Sequence, residues 1–501
     1  METEDQKKLK QFIDRRHPKY ADNLTHWNFL SSCYMGGRQW FDNNIFKYIK
    51  EGDKEYKDRI DRAYRFNHSR EIVDLISKYI FKSKVNRNDE DASPAVKKFL
   101  GDATLGGLNM KQYSRHLADK SSIYGRVWIV VDSDASGIIT VKDEKKTGAH
   151  VYSYIVKPQD ALDMSFDEYN RLNWILIHEV YRDDEDPITS SGEELSRYRL
   201  WTRNEWILFE DDGKQIEMID SGEHGLGEVP VFPLDHISTN ESLWDSPSLI
   251  NDIAYLDRAN ANYLSNLDAI IQDQTFSQLA MPAQGLLPGE ESHQKLIEMG
   301  TKRVFTYDGE GGSQPFYLSP DVKQAELIVT VVKQIINEIY HTVGVAGERT
   351  KQDNAVGIDN SSGVAKAYDF ERVNALLTAK SATLQECENN ILRLVNKWAG
   401  QTNTIDGDLI LYPETFDVRG LSDEFDISAK LSMIQAPLSV RKHQMVQLVE
   451  KLFPRLKHDL KEAILKDIQD WDDEPVITEK VDINSSKIPT QGTNNKDADQ
   501  E

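Results

Sequence analysis

The residues whose spacing comes nearest to a metal site follow the first run of β-type residues. Asp132, Asp134 and Ser136 alternate, Gly137 follows, and Asp143 stands at the twelfth position, as in a calcium-binding loop. A strand-like run precedes this segment, however, and a second one begins inside it. A hairpin turn uses the same Asp, Ser and Gly residues. We therefore predict a turn here, with no bound metal and no cofactor.

Other residues that could carry chemistry lack the required spacing. The twelve histidines contain no H-x-x-x-H or H-E-x-x-H pair, and no G-x-x-x-x-G-K-[ST] phosphate loop or G-x-S-x-G nucleophile string occurs. His224 and His236 are predicted to be loop residues, and the acidic run 183–186 a solvated loop. Cys33 and Cys387 cannot build a disulfide framework or a zinc cluster. We predict no catalytic residue, and hence a protein that is not an enzyme.

The charge balance restricts how the chain could meet nucleic acid. It has 501 residues, with 60 basic and 83 acidic side chains and a formal net charge of −23. A module that grips duplex DNA presents a basic face, because neutralising phosphates drives that binding. The acidic total argues against such a module, but it does not exclude a protein that lets DNA slide past, because like charges keep a polymer from sticking. No segment reaches the ~18 consecutive apolar residues of a membrane span, so we expect no membrane partner and synthesis in the cytoplasm.

Periodicity predicts an α+β fold whose first half mixes helices and short strands. Apolar residues at helical spacing indicate helices over about 69–82 and 109–124. The run RVWIVV at 126–131 and the run IITV at 138–141 are predicted to form a hairpin. Further strands are predicted at 151–156, 174–181, 198–202, 205–209, 215–219 and 230–233.

Three long amphipathic helices dominate the second half. They are predicted over about 248–272, 321–342 and 362–399. Irregular residues with short strand candidates (275–319) separate the first two, and a polar, Gly-containing loop (343–362) separates the last two. A strand pair near 404–418 and helices at about 426–433, 439–452 and 454–471 follow. The tail from 472 is polar and acidic, so we expect it to be disordered.

This order of elements resembles that of tailed-bacteriophage portal proteins, the head-to-tail connector family. Three strings agree with it: SSIYGRVWIVVD at 121–132, GEVPV at 227–231 and NSSGVAK at 360–366. They resemble the helix-to-strand step, the string before the first stem helix and the start of the helix after the tunnel loop. The resemblance covers about residues 20–470.

The resemblance implies a division of the chain into named segments. These are the wing (1–247), first stem helix (248–274), clip (275–319), second stem helix (320–342), tunnel loop (343–362), spine helix with strands (363–425), crown (426–472) and acidic tail (473–501).

It also implies a homo-oligomeric ring, typically of twelve subunits, at one vertex of the virion's capsid. The ring would be the channel for double-stranded DNA during packaging and ejection. Its implied partners are the terminase large subunit, a head–tail adaptor, and the major capsid and scaffolding proteins. The implied DNA-channel residues of the tunnel loop are Arg349, Lys351, Gln352 and Asn354, and those of the clip docking surface are Lys295, Lys302 and Arg303.

Two other functions remain open from the residues alone. One is a head-associated structural or interaction protein without a channel. The other is a metal-dependent nuclease, but the sequence places no clustered acidic set on its strands that would support one.

Overall fold

The computed structural model describes most of the chain. The described residues are 4–88, 92–134, 150–213, 215–239, 242–275, 278–282, 304–307, 314–318, 322–344, 363–401, 409–413, 416, 437–452 and 458–471. The chain divides into two compact units, Met1–Phe416 and Asp417–Glu501. Helices and sheets both contribute, so the fold class is α+β as predicted.

Seven helices lie ahead of residue 126 in the described part of the first unit. Their bounds are α1 Glu4–Asp14, α2 Pro18–Met35, α3 Arg38–Asn44, α4 Asp53–Arg62, α5 His68–Ile80, α6 Pro94–Gly101 and α7 Met110–Tyr124. Local chemistry starts several of them. Asn109 caps α7 in a capping box with Gln112, and Ser93 caps α6 ahead of a proline at its first position.

The described strands of the first unit form four sheets. Their bounds are β1 Asn86–Arg87, β2 Arg126–Ser133, β3 Val151–Val156, β4 Ala161–Phe166, β5 Leu172–Arg182, β6 Glu194–Thr202, β7 Glu205–Asp211, β8 Ile216–Glu223, β9 Val231–Asp235, β10 Gln278–Pro282, β11 Val304–Tyr307, β12 Phe316–Leu318 and β13 Ile410–Leu411. The orders are β1-β13, β3-β2-β9, β11-β10-β12 and the antiparallel meander β4-β5-β6-β7-β8.

Strand β2 is the centre of the first unit's core. Antiparallel partners occupy both of its edges, β3 on one side and β9 on the other. Its residues from Arg126 to Asp132 are all buried, which explains why the strand is a nearly continuous apolar run rather than an alternating one. Within the described residues β2 pairs with β3 and β9 only. The segment 138–141, which was predicted to pair with β2, lies outside the described residues.

Three long helices come after β9 in the chain. They are α8 Ile253–Thr275, α9 Val322–Thr342 and α10 Gly363–Trp398. All three predictions are confirmed, although α8 begins about five residues later than its apolar pattern suggests. Between α8 and α9 lies the small sheet β10–β12, in which β10 pairs in parallel with β11 and antiparallel with β12. Strand β13 lies within the predicted strand pair near 404–418, and its partner among the described residues is β1, far away in sequence.

The second unit has two described helices, α11 Leu438–Leu452 and α12 His458–Asp470. The Nζ of Lys442 donates to the backbone oxygen of Gln469 at 2.6 Å, and Leu448 and Ile468 are buried. Both helices were predicted. The predicted helix 426–433 and the acidic tail lie outside the described residues.

Gly125, at the junction of α7 and β2, has a conformation and surroundings that only glycine tolerates. Its φ is +82°, and a Cβ atom built there would stand 1.9 Å from the backbone oxygen of Ser246. Positive φ costs other residues ~1 kcal/mol or more, and the backbone contact adds to that. The tyrosine–glycine step noted in the sequence thus has a steric cause.

We predict that Gly125→Ala lowers the midpoint of urea unfolding strongly, because both costs apply. Gly107→Ala is the matched control, since Gly107 also has positive φ (+76°) but meets no heavy atom within 4 Å. It should lose only the conformational part, roughly 1 kcal/mol. Equal losses in the two variants would contradict the steric account.

Candidate functional site: the long helices and their anchors

Helices α8 and α9 form an antiparallel pair that is anchored at one end. Asp257, near the start of α8, accepts a hydrogen bond from the hydroxyl of Ser69 at 2.8 Å. Tyr340, near the end of α9, has its hydroxyl 3.0 Å from Nδ1 of His68. Since His68 and Ser69 open α5, the start of α8 and the end of α9 meet the same turn. The two helices therefore run in opposite directions.

Burial falls away along both helices from that shared end. Fully buried residues of α8 end at Ser265, and those of α9 begin at Val332. Beyond those points apolar side chains face solvent: Leu327 is 65% exposed and Val322 is 59% exposed. Apolar residues of a helix normally face a core, so the outer ends of both helices carry more apolar surface than this chain covers.

The small sheet between the two helices is exposed as well. All three residues of β12, Phe316, Tyr317 and Leu318, are exposed, Tyr317 to 71%. Ring contact between Tyr307 and Phe316, with centroids 5.5 Å apart, joins β11 to β12. Strand β12 therefore adds apolar and aromatic side chains to the exposed surface near the outer ends of the helices.

A buried ion pair fixes the buried first part of α8, residues 253–265, which we call its root. The carboxylate of Asp257 accepts from the backbone N–H of Ser69 at 3.2 Å and from Nη1 of Arg65 at 3.4 Å. Arg65 also donates to the backbone oxygen of Cys33 and lies 3.8 Å from the centroid of the Trp40 ring. Removing one partner of such a pair leaves the other charge buried, which typically costs 3–5 kcal/mol. The root is therefore rigidly specified.

A second ion pair, which meets α8 about two turns further along at Ser265, repeats this design. Arg59 of α4 donates to both carboxylate oxygens of Glu51, at 2.8 and 2.7 Å, and to the hydroxyl of Ser265 at 2.9 Å. These hydrogen bonds from Arg59 are also the main reason that the pKa of Glu51 lies below its usual value. Together the two pairs hold α8 against α4 and α5 up to the point where its burial ends.

Helix α10 carries a buried glutamate that joins several elements of the first unit. Glu388 is fully buried and accepts from Nη2 of Arg87 at 3.0 Å, from the hydroxyl of Ser114 at 2.5 Å and from the hydroxyl of Tyr412. Burial, then the charge of Glu388, raises the pKa of Tyr412 well above its usual value. The network ties α10 to α7, β1 and the segment after β13.

Helix α10 also buries a lysine without a carboxylate in contact among the described residues. Lys380 is fully buried, and its Nζ donates to the hydroxyl of Ser121 at 2.5 Å. Burial lowers the pKa of Lys380 to about 7, partly offset by the charges of Asp119 and Asp235 and by Cys387. Nearby His236 is buried too, and burial followed by Lys380 lowers its pKa well below the usual value. Burial therefore favours the uncharged forms of both Lys380 and His236.

The residues predicted to contact DNA or a docking partner are not placed by the structure. Arg349, Lys351, Gln352 and Asn354 lie outside the described residues, as do Lys295, Lys302 and Arg303. Those roles remain predictions. Of the calcium-like segment, Asp132 lies in β2 and accepts from the Tyr152 hydroxyl at 2.9 Å. The positions from 135 to 149 are not described.

Within the described part of the chain, no group of three or more His, Cys, Asp or Glu is arranged to hold a metal ion. Asp183 and Asp186 accept from backbone N–H groups of the β5–β6 connection, as predicted for a loop. His224 and His236 lie in connections between strands and helices but are buried. Of the helices in the described ranges, none is long and apolar enough to cross a membrane.

The buried polar anchors were missed by the sequence reasoning. A signal for them exists on α10, where Lys380 and Glu388 fall on the same stripe as Leu377, Leu384 and Ile391. A charged residue at a stripe position predicts either a break in the stripe or a buried partner. Its partner cannot be read from the sequence, because Ser121 and Arg87 lie hundreds of residues away.

Comparison with known proteins gives one family match. The family described as phage portal protein, SPP1 Gp6-like, matches residues 13–412. No curated protein matches this chain.

Solved structures include distant likenesses. A chain of the virion of a native gene transfer agent (GTA) particle is 12% identical, with 88% of this chain and 98% of that chain covered and a TM-score of 0.40. A chain of the neck of an empty GTA particle is 13% identical, with coverages of 80% and 90% and a TM-score of 0.35. A chain of the neck of a native GTA particle is 13% identical, with 79% of this chain and 89% of that chain covered and a TM-score of 0.39.

We predict that Lys380→Met stabilises the protein at neutral pH by roughly 1–4 kcal/mol, because it removes a charge that burial disfavours. The lowered pKa also sets the pH dependence. Between about 7 and the unfolded value of 10.5 the unfolded chain binds more protons, so wild-type stability rises with pH over that range.

Thermal unfolding from pH 6 to 10 measures both effects. The gain from Lys380→Met should be largest near pH 7 and below, and should shrink towards pH 10. A gain that is independent of pH, or a loss of stability at pH 7, would contradict the buried-amine account.

Proposed function

The chain belongs to the SPP1 Gp6-like phage portal protein family, a family of structural proteins, and on this basis we propose that it forms a closed ring at one vertex of the capsid. In that ring, typically of twelve copies, the central channel conducts double-stranded DNA during packaging and ejection. The ring is part of the virion, assembles in the host cytoplasm and performs no bond chemistry.

The observation that carries the proposal is the apolar surface at the outer ends of α8 and α9. Leu327 and Val322 of α9 and Ile271 of α8 are exposed in the single chain. Each copy has a net charge of −23, so like charges oppose association. Contacts between copies must therefore gain their free energy from apolar burial, about 25 cal/mol per Å². A ring requires two different faces that meet head to tail and close.

The remaining parts of the proposal concern the DNA and the docking partners. In the family's arrangement, residues 343–362 form the tunnel loop, in which Arg349, Lys351, Gln352 and Asn354 would touch the DNA. Residues 275–319 would form the clip, with Lys295, Lys302 and Arg303 facing the terminase large subunit and then the head–tail adaptor. The major capsid and scaffolding proteins would surround the ring. The exposed side chains of β12 support a contact role for the clip.

A head-associated protein without a channel is the second candidate. It would use the same exposed apolar surface to bind a different protein. It predicts defined small complexes with that protein and no ring of identical subunits.

We predict that Leu327→Glu abolishes the ring while the single chain keeps its fold, because the position is exposed within the chain but would be covered by a neighbouring copy. Mass photometry and circular dichroism measure the two effects. The control is Asn337→Glu, which adds the same charge at an exposed polar position of α9 and should leave the ring intact. Rings of normal size and yield from Leu327→Glu would refute this interface.

We predict that deletion of residues 350–358 leaves ring formation intact but impairs DNA packaging, because the loop is proposed to line the channel and not the contact between copies. Electron microscopy of the ring and a nuclease-protection assay of packaged DNA check the two parts. Normal DNA packaging by the deletion variant would contradict the proposed contact of Arg349 and Lys351 with the DNA.

A further inference from the structure

Two buried polar side chains at the root of α8 have hydrogen-bonding atoms that no described residue satisfies. Asp257 is 0% exposed and Asn260 is 1% exposed. Oδ2 of Asp257 is bonded to Ser69 and Arg65. Among the described residues, its Oδ1 has no partner and neither amide atom of Asn260 has one. Each buried polar group left without a partner costs about 1–3 kcal/mol, so such groups are rare in folded proteins.

The two residues are neighbours on one face of the helix. They are three positions apart, which places their Cβ atoms about 5–6 Å from one another. Oδ1 of Asp257 can only accept hydrogen bonds, whereas the amide of Asn260 offers one acceptor and two donors. A ligand that satisfies this set must both donate and accept, and it must be small enough to fit between two side chains.

The surrounding charges decide among small ligands. Nη1 of Arg65 is 3.4 Å from the carboxylate of Asp257, so a cation at Oδ1 would be repelled by the guanidinium. An anion would be repelled by the carboxylate itself. A neutral molecule with two donors and two acceptors meets the requirement, and buried water typically makes about three such bonds.

We propose that α8 holds an internal water molecule between Asp257 and Asn260, as a structural part of its root. The water donates to Oδ1 of Asp257 and bonds the amide of Asn260. It thereby extends the hydrogen-bonded contacts of Asp257 with Ser69 and Arg65 by about one helical turn, towards the outer end of α8. The inference does not depend on the proposed ring, since every residue involved is buried within one chain.

The first test compares two substitutions by thermal unfolding of the full-length protein. In Asn260→Leu the water loses its amide partner, so the midpoint should fall by a few degrees. The matched control is Asn389→Leu on α10. That amide already has protein partners, because it donates to the backbone oxygen of Ile410 and accepts from the backbone N–H of the same residue, so its loss should also destabilise the chain.

The two possible signs of the Asn260→Leu effect separate the alternatives. If no water occupies the site, leucine replaces an unpaired amide by an apolar group of similar size, and the midpoint should rise. A rise would overturn the proposal.

Poor packing of the leucine would also lower the unfolding midpoint, so a direct measurement is needed to separate the two causes. A density map of the wild-type protein at better than about 2 Å should show a water peak at hydrogen-bond distance, about 2.7–3.2 Å, from both Asp257 and Asn260. An empty position in that map would overturn the proposal whatever the substitution does. Failure of ring formation would leave the result unaffected.

Discussion

The structure depends on a pair of antiparallel helices that are anchored at one end and uncovered at the other. At the anchored end, buried ion pairs hold α8 against α4 and α5. At the outer end, apolar residues such as Leu327 and Val322 face solvent. Water-exposed apolar surface is unfavourable in proportion to its area, and large patches of it mark sites of association. The single chain is therefore well anchored at one end of the helix pair and leaves apolar surface uncovered at the other.

The charge of the chain determines how that surface can be completed. Copies that each carry −23 repel, and screening by salt at physiological strength is effective only beyond about 8 Å. Apolar contact is the interaction strong enough to oppose this repulsion at short range. The same acidic excess suits a channel through which DNA passes, because a wall rich in lysine and arginine would bind phosphates tightly. In the proposed ring, assembly and the passage of DNA would thus place compatible demands on the sequence.

The sequence predicts the long elements well and the tertiary pairings poorly. Helices α8, α9 and α10 have long apolar stripes, even though Lys380 and Glu388 lie on that of α10, so their presence and approximate bounds could be read directly. Strand β4 was missed, because its short run contains Asp163 and borders on a turn. The pairing of β13 with β1 was not foreseeable, since strands of two residues carry no register signal and their partners are far apart along the chain. Buried anchors such as Glu388 are recognisable only once their partners are placed.

The central claim is that this chain completes its surface with copies of itself around a channel. The most direct measurement is an averaged end-on electron-microscopy view of the purified wild-type protein, combined with its particle mass. The account predicts a closed ring with a central hole and a mass that is a multiple, about twelvefold, of the 57.4 kDa chain. A stable particle of one chain's mass, in which the outer ends of α8 and α9 are covered by the chain itself, would contradict it.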